Sequence, residues 1–175
     1  LKDNQLVTID CSSGKEGYVF EGKLAFEKKE HHLDHLPEIK TKVMLNIGSP
    51  EEAFRNFYLP VSGVGLGRLE FIISSYIKVH PNALLDYKTL KNSRDPKVKK
   101  VVREIDELTL EYKNKTDYYV NELAEGIALI ASTFYPGEAI IRFSDFKTNE
   151  YSTLVGGELY EPKEENPMIG WRGAS

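Results

Sequence analysis

Hydrophobic and polar residues alternate in the first part of the chain. Residues 6–11 and 18–20 show the period of two that is typical of β-strands, and residues 12–17 between them are rich in serine and glycine. This pattern predicts a β-hairpin at the edge of a β-rich unit. Residues 26–40 are polar, include Pro37 and follow neither the helical nor the strand period. We interpret them as a linker.

After the linker the pattern changes to apolar strands followed by capped helices. Residues 43–47 form a short apolar run that predicts a buried strand. Ser49 then stands at an N-cap position, Pro50 at the first helical position and Glu52 at the capping-box position. The combination indicates a junction between a strand and a helix.

Two more strands and two long helices follow. Strands are predicted over residues 64–71 and 139–146, and the second of these is too apolar on both faces for a solvated edge. One helix is predicted from the Asp95 cap to about Tyr112, and another begins at Thr116. The second helix has apolar residues at helical spacing: Val120, Leu123, Ala124, Ile127, Ile130, Ala131 and Phe134.

This order of elements predicts an α/β fold with a parallel sheet and helices outside it. Three or four strand–helix units are too few to close a (β/α)8 barrel, which takes about 250 residues. The sheet is therefore either open or the first part of a barrel.

Composition narrows the classes of function. The chain is 41% hydrophobic and 29% charged, which is typical of a folded domain. Its net charge is −4 and no basic stripe occurs, so nucleic acid is an unsuitable partner. No apolar run approaches the roughly 20 residues of a membrane helix. The chain starts at Leu1 rather than Met and opens directly on a predicted strand, which predicts an internal piece of a longer protein. Its start lacks a signal peptide, and the lone Cys11 can form no internal disulfide, so we expect a cytoplasmic protein. Cys11 is interpreted as a small packed side chain rather than a nucleophile.

A glycine-rich segment runs from Gly63 to Arg68 with the sequence GVGLGR. The third glycine of a G-x-G-x-x-G dinucleotide motif would fall at Arg68, and no G-K-[ST] follows, so both nucleotide-loop interpretations are rejected. Gly65 and Gly67 leave two alternatives open: close packing of the backbone within the sheet, or close approach of a ligand.

Two arginines lie in otherwise apolar predicted strands. Placing the Arg68 guanidinium in an apolar strand costs free energy unless it contacts an anion or a carboxylate such as Glu70. The same holds for Arg142, for which Asp145 is the nearest carboxylate in the sequence. If both point to one end of a parallel sheet, they form a two-pronged site for phosphate or carboxylate. A structural ion pair is the alternative.

A histidine cluster lies in the linker. His31, His32 and His35, with Glu30 and Asp34, have spacing that resembles a metal site. No second ligand cluster in an apolar setting accompanies them, so a solvated linker is the favoured interpretation.

The C-terminal part of the chain carries the most specific motifs. Residues 142–151 read RFSDFKTNEY, and residues 156–173 contain GGELYEP and ENPMIGWRG. With the segment 63–72 and the Val79-His80-Pro81 sequence, they closely resemble the phosphoenolpyruvate synthase family along essentially the whole chain. Pyruvate phosphate dikinases and the first enzyme of the sugar phosphotransferase system share part of the pattern but differ over residues 148–168.

The resemblance implies a function and a domain plan. That family converts ATP, pyruvate and water into phosphoenolpyruvate (PEP), AMP and phosphate through a phosphorylated histidine on a swivelling domain. Residues 1–25 would be the end of the phosphohistidine domain, 26–40 the linker, and 41–175 the N-terminal part of a (β/α)8 barrel that binds PEP or pyruvate. Arg68 and Arg142 match the family's substrate-binding arginines.

Other parts of the family's machinery are expected outside this chain. Asn166 and Arg172 match a shared motif and are candidate supporting residues. The resemblance assigns the phosphohistidine, the ligands of Mg²⁺ and ATP, and the proton-donating cysteine to other segments, so the fragment alone is expected to be inactive. Its partners would be the remainder of the enzyme and a second copy in a homo-oligomer. The alternatives are another PEP-utilising enzyme, such as a dikinase, or a stand-alone module that binds PEP or pyruvate.

Overall fold

The computed structural model describes residues 2–12, 14, 16–30, 32–33, 36–37 and 39–165. The chain divides into two compact units, Leu1–Pro37 and Glu38–Ser175. In the first unit, strands β1 (Val7–Asp10) and β2 (Tyr18–Glu21) pair in antiparallel fashion.

The hairpin leaves apolar side chains exposed to solvent. Leu6 is 67% exposed, Ile9 68% and Val19 52%. Cys11, which follows β1, is exposed as well. The prediction that Cys11 is packed was therefore wrong, because the described residues of this unit supply no second layer to cover it.

The second unit is built on a parallel sheet. Strands β3 (Leu45–Ile47), β4 (Gly63–Arg68) and β5 (Glu138–Arg142) are hydrogen-bonded in this order, with β4 in the centre. The predicted α/β class with a parallel sheet is confirmed.

Short and long helices connect the strands and cover the sheet. In chain order they are α1 (Pro50–Asn56), α2 (Leu69–Ile72), a π-helical turn (Ile73–Ile77), α3 (Pro81–Leu85), α4 (Tyr87–Lys91), α5 (Pro96–Leu108), α6 (Lys115–Thr133), α7 (Thr148–Tyr151) and a 3₁₀ turn (Gly157–Leu159). No helix among the described residues is long and apolar enough to cross a membrane.

The N-terminal caps form as their residue types predict. The Ser49 hydroxyl accepts a hydrogen bond from the Glu52 backbone N–H at 3.2 Å, and Pro50 occupies the first helical position. The Asp95 carboxylate accepts from the Lys97 N–H at 2.8 Å. Both caps satisfy N–H groups that have no partner inside the helix.

The second predicted strand was too long. It ends at Arg68, and a helix begins at Leu69 instead of continuing the strand to residue 71. The physical reason is the spacing of Leu69, Ile72, Ile73 and Ile77, which all face the core from successive helical turns. Alternation along the strand therefore gives way to helical periodicity immediately after Arg68.

The third strand was also predicted too long, because it ends at Arg142. It forms an edge of the described sheet, although the sequence makes it too apolar on both faces for a solvated edge. Ile140 is 54% exposed and Phe143 84% exposed. Helix α5 likewise ends at Leu108 rather than near residue 112.

Helix α6 packs its buried face over α2 and the π-helical turn that follows it. Ile130 is fully buried, and Gly126 lies so close to Ile72 that a Cβ atom at position 126 would stand 2.8 Å from the Ile72 Cγ2. Val120 and Ala124, which the sequence placed on the apolar stripe, are exposed. The stripe is therefore narrower than predicted.

The glycines of β4 are pressed against neighbouring residues. A Cβ atom at Gly65 would lie 3.0 Å from the Met44 Cβ, and one at Gly67 would overlap the Ile141 side chain. Close packing within the sheet therefore accounts for Gly65, whereas at Gly67 the overlapping atom is the flexible end of the Ile141 side chain.

The segment after β5 returns to the start of α3. Val79 and Val155 form an isolated parallel bridge, and the buried His80 is 2.9 Å through its Nε2 from a Glu161 carboxylate oxygen. The His80 ring stacks on Tyr160 with centroids 5.2 Å apart. These contacts hold residues 148–161 against the helical layer.

Candidate functional site

The two strand arginines meet at one edge of the sheet. Arg68 and Arg142 are the last residues of β4 and β5 and are paired in the strand register. Parallel strands end at the same edge, and ligand sites of α/β sheets lie outside that edge. The sequence prediction that both arginines lie at one end of a parallel sheet is confirmed.

Arg142 is held by two carboxylates. Its Nη2 bonds to the Glu70 Oε1, and its Nη1 lies 3.6 Å from the Asp145 Oδ2. The Arg142 side chain is 39% exposed, whereas that of Glu70 is 6% exposed. The predicted ion pair with Asp145 therefore exists, but the buried partner is Glu70.

Glu70 was assigned to the wrong arginine. The sequence analysis offered it to Arg68, on the assumption that both residues belong to one strand, where positions two apart share a face. Because helix α2 begins at Leu69, Glu70 lies in a helical turn and reaches Arg142 across the sheet. Its Oε1 also accepts the backbone N–H of Asp145 at 2.9 Å.

Arg68 has an aromatic neighbour instead of a carboxylate. Its guanidinium carbon lies 4.6 Å from the centroid of the Phe71 ring, in cation–π geometry. Within the described part of the chain, no hydrogen bond or ion pair engages the Arg68 side chain. Its N–H groups are therefore open to a ligand.

A cavity of about 260 Å³ adjoins these residues. It is lined by Arg68, Glu70, Phe71, Asp145, Phe146, Lys147 and Glu150. Arg142 is not part of the lining and borders the cavity through its two carboxylate partners, Glu70 and Asp145.

Phe71 and Lys147 were missed by the sequence analysis as site residues. The sequence signal for Phe71 is its position three residues after Arg68, because side chains three positions apart are neighbours when the chain is helical. Lys147 follows β5 by five positions, and only the path of the loop after Arg142 brings it to the cavity. No periodicity in the sequence encodes that path.

A larger groove of about 740 Å³ lies between α1 and α6. Its walls include the exposed aromatic residues Phe54 and Phe57. At one side Tyr76 bonds to Glu51, and burial together with this carboxylate raises the pKa of Tyr76 to about 12. The groove is mostly apolar, whereas the strand-end cavity combines cations and carboxylates; we therefore place the candidate site at the strand ends.

Some predicted residues lie outside the part of the chain that the structure describes. These are Asn166, Arg172, His31, Asp34 and His35. Among the described residues, no group of three or more His, Cys, Asp or Glu side chains is arranged to hold a metal ion.

Comparison with known proteins gives the family. Residues 24–175 match the family described as PEP-utilising enzyme, PEP-binding domain. The chain belongs to this family.

The individual relatives carry a more specific name. Phosphoenolpyruvate synthase of Synechocystis sp. is 51% identical over 176 residues, which cover 100% of this chain and 21% of the relative. The proteins of the same name from Aquifex aeolicus and Escherichia coli are 44% and 46% identical, and the matches cover 25% and 21% of their lengths. The resemblance drawn from the motifs is thereby confirmed, and the chain spans about a fifth to a quarter of these relatives.

Proposed function

We propose that this chain is the part of a phosphoenolpyruvate synthase that supplies the arginines of the PEP/pyruvate site. The whole enzyme would convert ATP, pyruvate and water into PEP, AMP and phosphate in the cytoplasm. The observation that carries the proposal is the pairing of Arg68 with Arg142 at the carboxyl ends of parallel strands, with Arg68 free of any ion pair among the described residues.

The chemistry of the two arginines suits this substrate. PEP carries a phosphate and a carboxylate, and a planar guanidinium binds either group through two parallel hydrogen bonds. Phosphoryl transfer to pyruvate passes through an enolate, whose charge is stabilised by fixed cations. Arg68 would contact the anion directly, while Arg142 would contribute the N–H groups that Glu70 leaves open.

The fold supports a larger barrel around this site. In the proposal, β3, β4 and β5 are the first strands of a (β/α)8 barrel, and residues 41–175 belong to it. Exposed Ile140 on the edge strand supports a further strand beside β5, because a solvated edge would favour polar side chains.

The domain plan extends this proposal. Residues 1–25 would belong to a phosphohistidine domain and residues 26–40 to the linker. The boundary between the two compact units falls after Pro37, inside the proposed linker, which supports this division. Mg²⁺ and ATP would be bound by other parts of the enzyme.

The test uses the complete enzyme with Arg68→Lys and Arg142→Lys. An ammonium group cannot reproduce the two-donor contact of guanidinium, so we expect each variant to lose about 3 kcal/mol of transition-state stabilisation, which is a loss in kcat/KM on the order of a hundredfold. Arg103→Lys on the exposed face of α5 is the matched control and should retain normal turnover. Near-normal turnover of either site variant would show that the arginine concerned is structural.

A further inference from the structure

Glu70 is a buried charge at the centre of the strand-end site. Its side chain is 6% exposed, and a carboxylate in this position is costly unless its charge is paired and its oxygens accept hydrogen bonds. Its Oε1 receives both the Arg142 Nη2 and the Asp145 N–H, and so ties α2 to the end of β5 and to the loop that follows.

Two atoms of this pair are buried without a hydrogen-bond partner among the described residues. They are the Oε2 of Glu70 and the Nε of Arg142. The Glu70 oxygen is a hydrogen-bond acceptor and the Arg142 nitrogen is a donor, and the two side chains are already joined by the Nη2–Oε1 hydrogen bond. A side-on pair, in which Nε and Nη2 face the two oxygens of one carboxylate, would satisfy both atoms.

The remaining side of the guanidinium is less tightly held. Nη1 lies 3.6 Å from Asp145, beyond ordinary hydrogen-bond length, and the Asp145 side chain is 39% exposed. An incoming anion can compete with such a contact, whereas the buried Glu70 contact is shielded from water. The two edges of Arg142 thus differ in how strongly they are occupied.

We propose that Glu70 is a positioning residue: it holds the Nε and Nη2 edge of Arg142 so that the Nη1 side is presented to the phosphate or carboxylate of the substrate. This inference rests on the proposed function. Glu70 lines the cavity, but it acts through Arg142, since a carboxylate repels the anion itself.

The experiment is a double-mutant cycle in the complete enzyme with Glu70→Gln, Arg142→Lys and both together. If Glu70 acts through Arg142, Glu70→Gln lowers kcat/KM for pyruvate about tenfold or more, but has little further effect when residue 142 is already lysine. The KM for ATP should stay unchanged, because a general structural defect would alter both substrates. Glu138→Gln removes the exposed partner of Lys42 at the opposite end of β5 and serves as the matched control.

The outcomes separate this inference from the proposed function. The positioning role would be overturned if Glu70→Gln lowered kcat/KM equally whether residue 142 is arginine or lysine, or if it raised the KM values for pyruvate and ATP in parallel. In either case an impaired Arg142→Lys enzyme would leave the proposed function standing. Normal kcat/KM in Arg142→Lys would overturn the proposed site and the positioning role together. If Glu70→Gln fails to fold, Glu70→Asp replaces it, because aspartate keeps the charge. We expect Glu70→Asp to lower kcat/KM partly when residue 142 is arginine, and to cause no further loss in the Arg142→Lys background.

Discussion

Arg68 and Arg142 occupy paired positions at the ends of neighbouring parallel strands, yet their guanidinium groups are held by different means. Arg68 rests on the Phe71 ring, while Arg142 is paired with carboxylates. The aromatic contact orients Arg68 without neutralising it, whereas Glu70 and Asp145 orient Arg142 and offset its charge. An anion would therefore meet one fully available cation and one that is positioned but partly compensated.

The isolated 175-residue chain should not catalyse the proposed reaction. In the proposed function the phosphohistidine and the metal-binding carboxylates would lie in other segments of the enzyme, so the isolated chain would lack both the phosphoryl carrier and the metal that stabilises the enolate. We expect no pyruvate-dependent formation of AMP from ATP. The measurement compares the purified chain with the complete enzyme at equal molar concentration, and activity that disappears with Arg142→Lys in the isolated chain would contradict the prediction.

Replacing Gly126 with alanine should destabilise the second unit. The added Cβ would stand 2.8 Å from the Ile72 Cγ2, so Ile72 must move. Overpacking of this kind costs about 1–3 kcal/mol, which over most of that range is larger than the gain of roughly 1 kcal/mol from the better helix propensity of alanine. We expect a lower midpoint of thermal unfolding for the chain at a fixed concentration.

A second substitution separates packing from propensity. Ile72→Ala removes the Cγ2 that the added Cβ would meet. Gly126→Ala should therefore cost less in an Ile72→Ala background than in the unmodified chain, although Ile72→Ala itself destabilises the chain by about 2–5 kcal/mol. If Gly126→Ala is instead more stable than the unmodified chain, the close approach of α6 to Ile72 does not limit packing.

The stability of the fold should fall at alkaline pH through Tyr76. Burial and the bond to Glu51 raise the pKa of Tyr76 from 10.0 to about 12, so the folded state keeps a proton that the unfolded state has lost. This contribution is fully present below pH 10 and is lost as the pH rises toward 12. Unfolding by urea across this range should give a free energy of unfolding that decreases with pH.

Tyr76→Phe provides the control for that effect. The variant lacks the titrating hydroxyl, so its free energy of unfolding should decrease less steeply over the same pH window, while other tyrosines with raised pKa values, such as Tyr160, still contribute. An identical pH dependence in both proteins would show that Tyr76 ionises equally in the folded and unfolded states.

Local sequence signals predicted the element types and the caps well. Ser49 and Asp95 cap their helices because a short polar side chain satisfies nearby N–H groups, and this chemistry depends on adjacent residues alone. Strand ends were less predictable. Leu69 continues an apolar run in sequence, and only the burial of Ile72 and Ile77 on one helical face shows that the strand has ended.

The two arginines of the candidate site and the pairing of Arg142 with Asp145 were predicted, but the buried partner of Arg142, Glu70, was not. Arg68 and Arg142 are conspicuous because arginine is costly in an apolar strand. The pairing of Glu70 with Arg142 joins residues 72 positions apart and depends on strand register and on the onset of α2. Neither determinant is a local property of the sequence, so Glu70 was assigned to its near neighbour.

The last prediction concerns the edges of the sheet. Strands β3 and β5 leave backbone N–H and C=O groups open to pairing, and β5 carries the exposed Ile140, with Phe143 just beyond it. Such an edge is a template for another strand, and exposed apolar surface favours association. We therefore expect the isolated 175-residue chain to self-associate, or to become fully ordered only when the remaining part of the proposed barrel is supplied, because either route pairs the edges and covers the apolar side chains.

Sedimentation and thermal unfolding, with and without the remaining part, test this expectation. Ile140→Lys should weaken self-association by placing a charge on the edge. Asn121→Lys, which adds a charge at an exposed polar position of α6, is the matched control and should leave association unchanged. A monomer that unfolds cooperatively at a temperature independent of concentration would contradict the prediction.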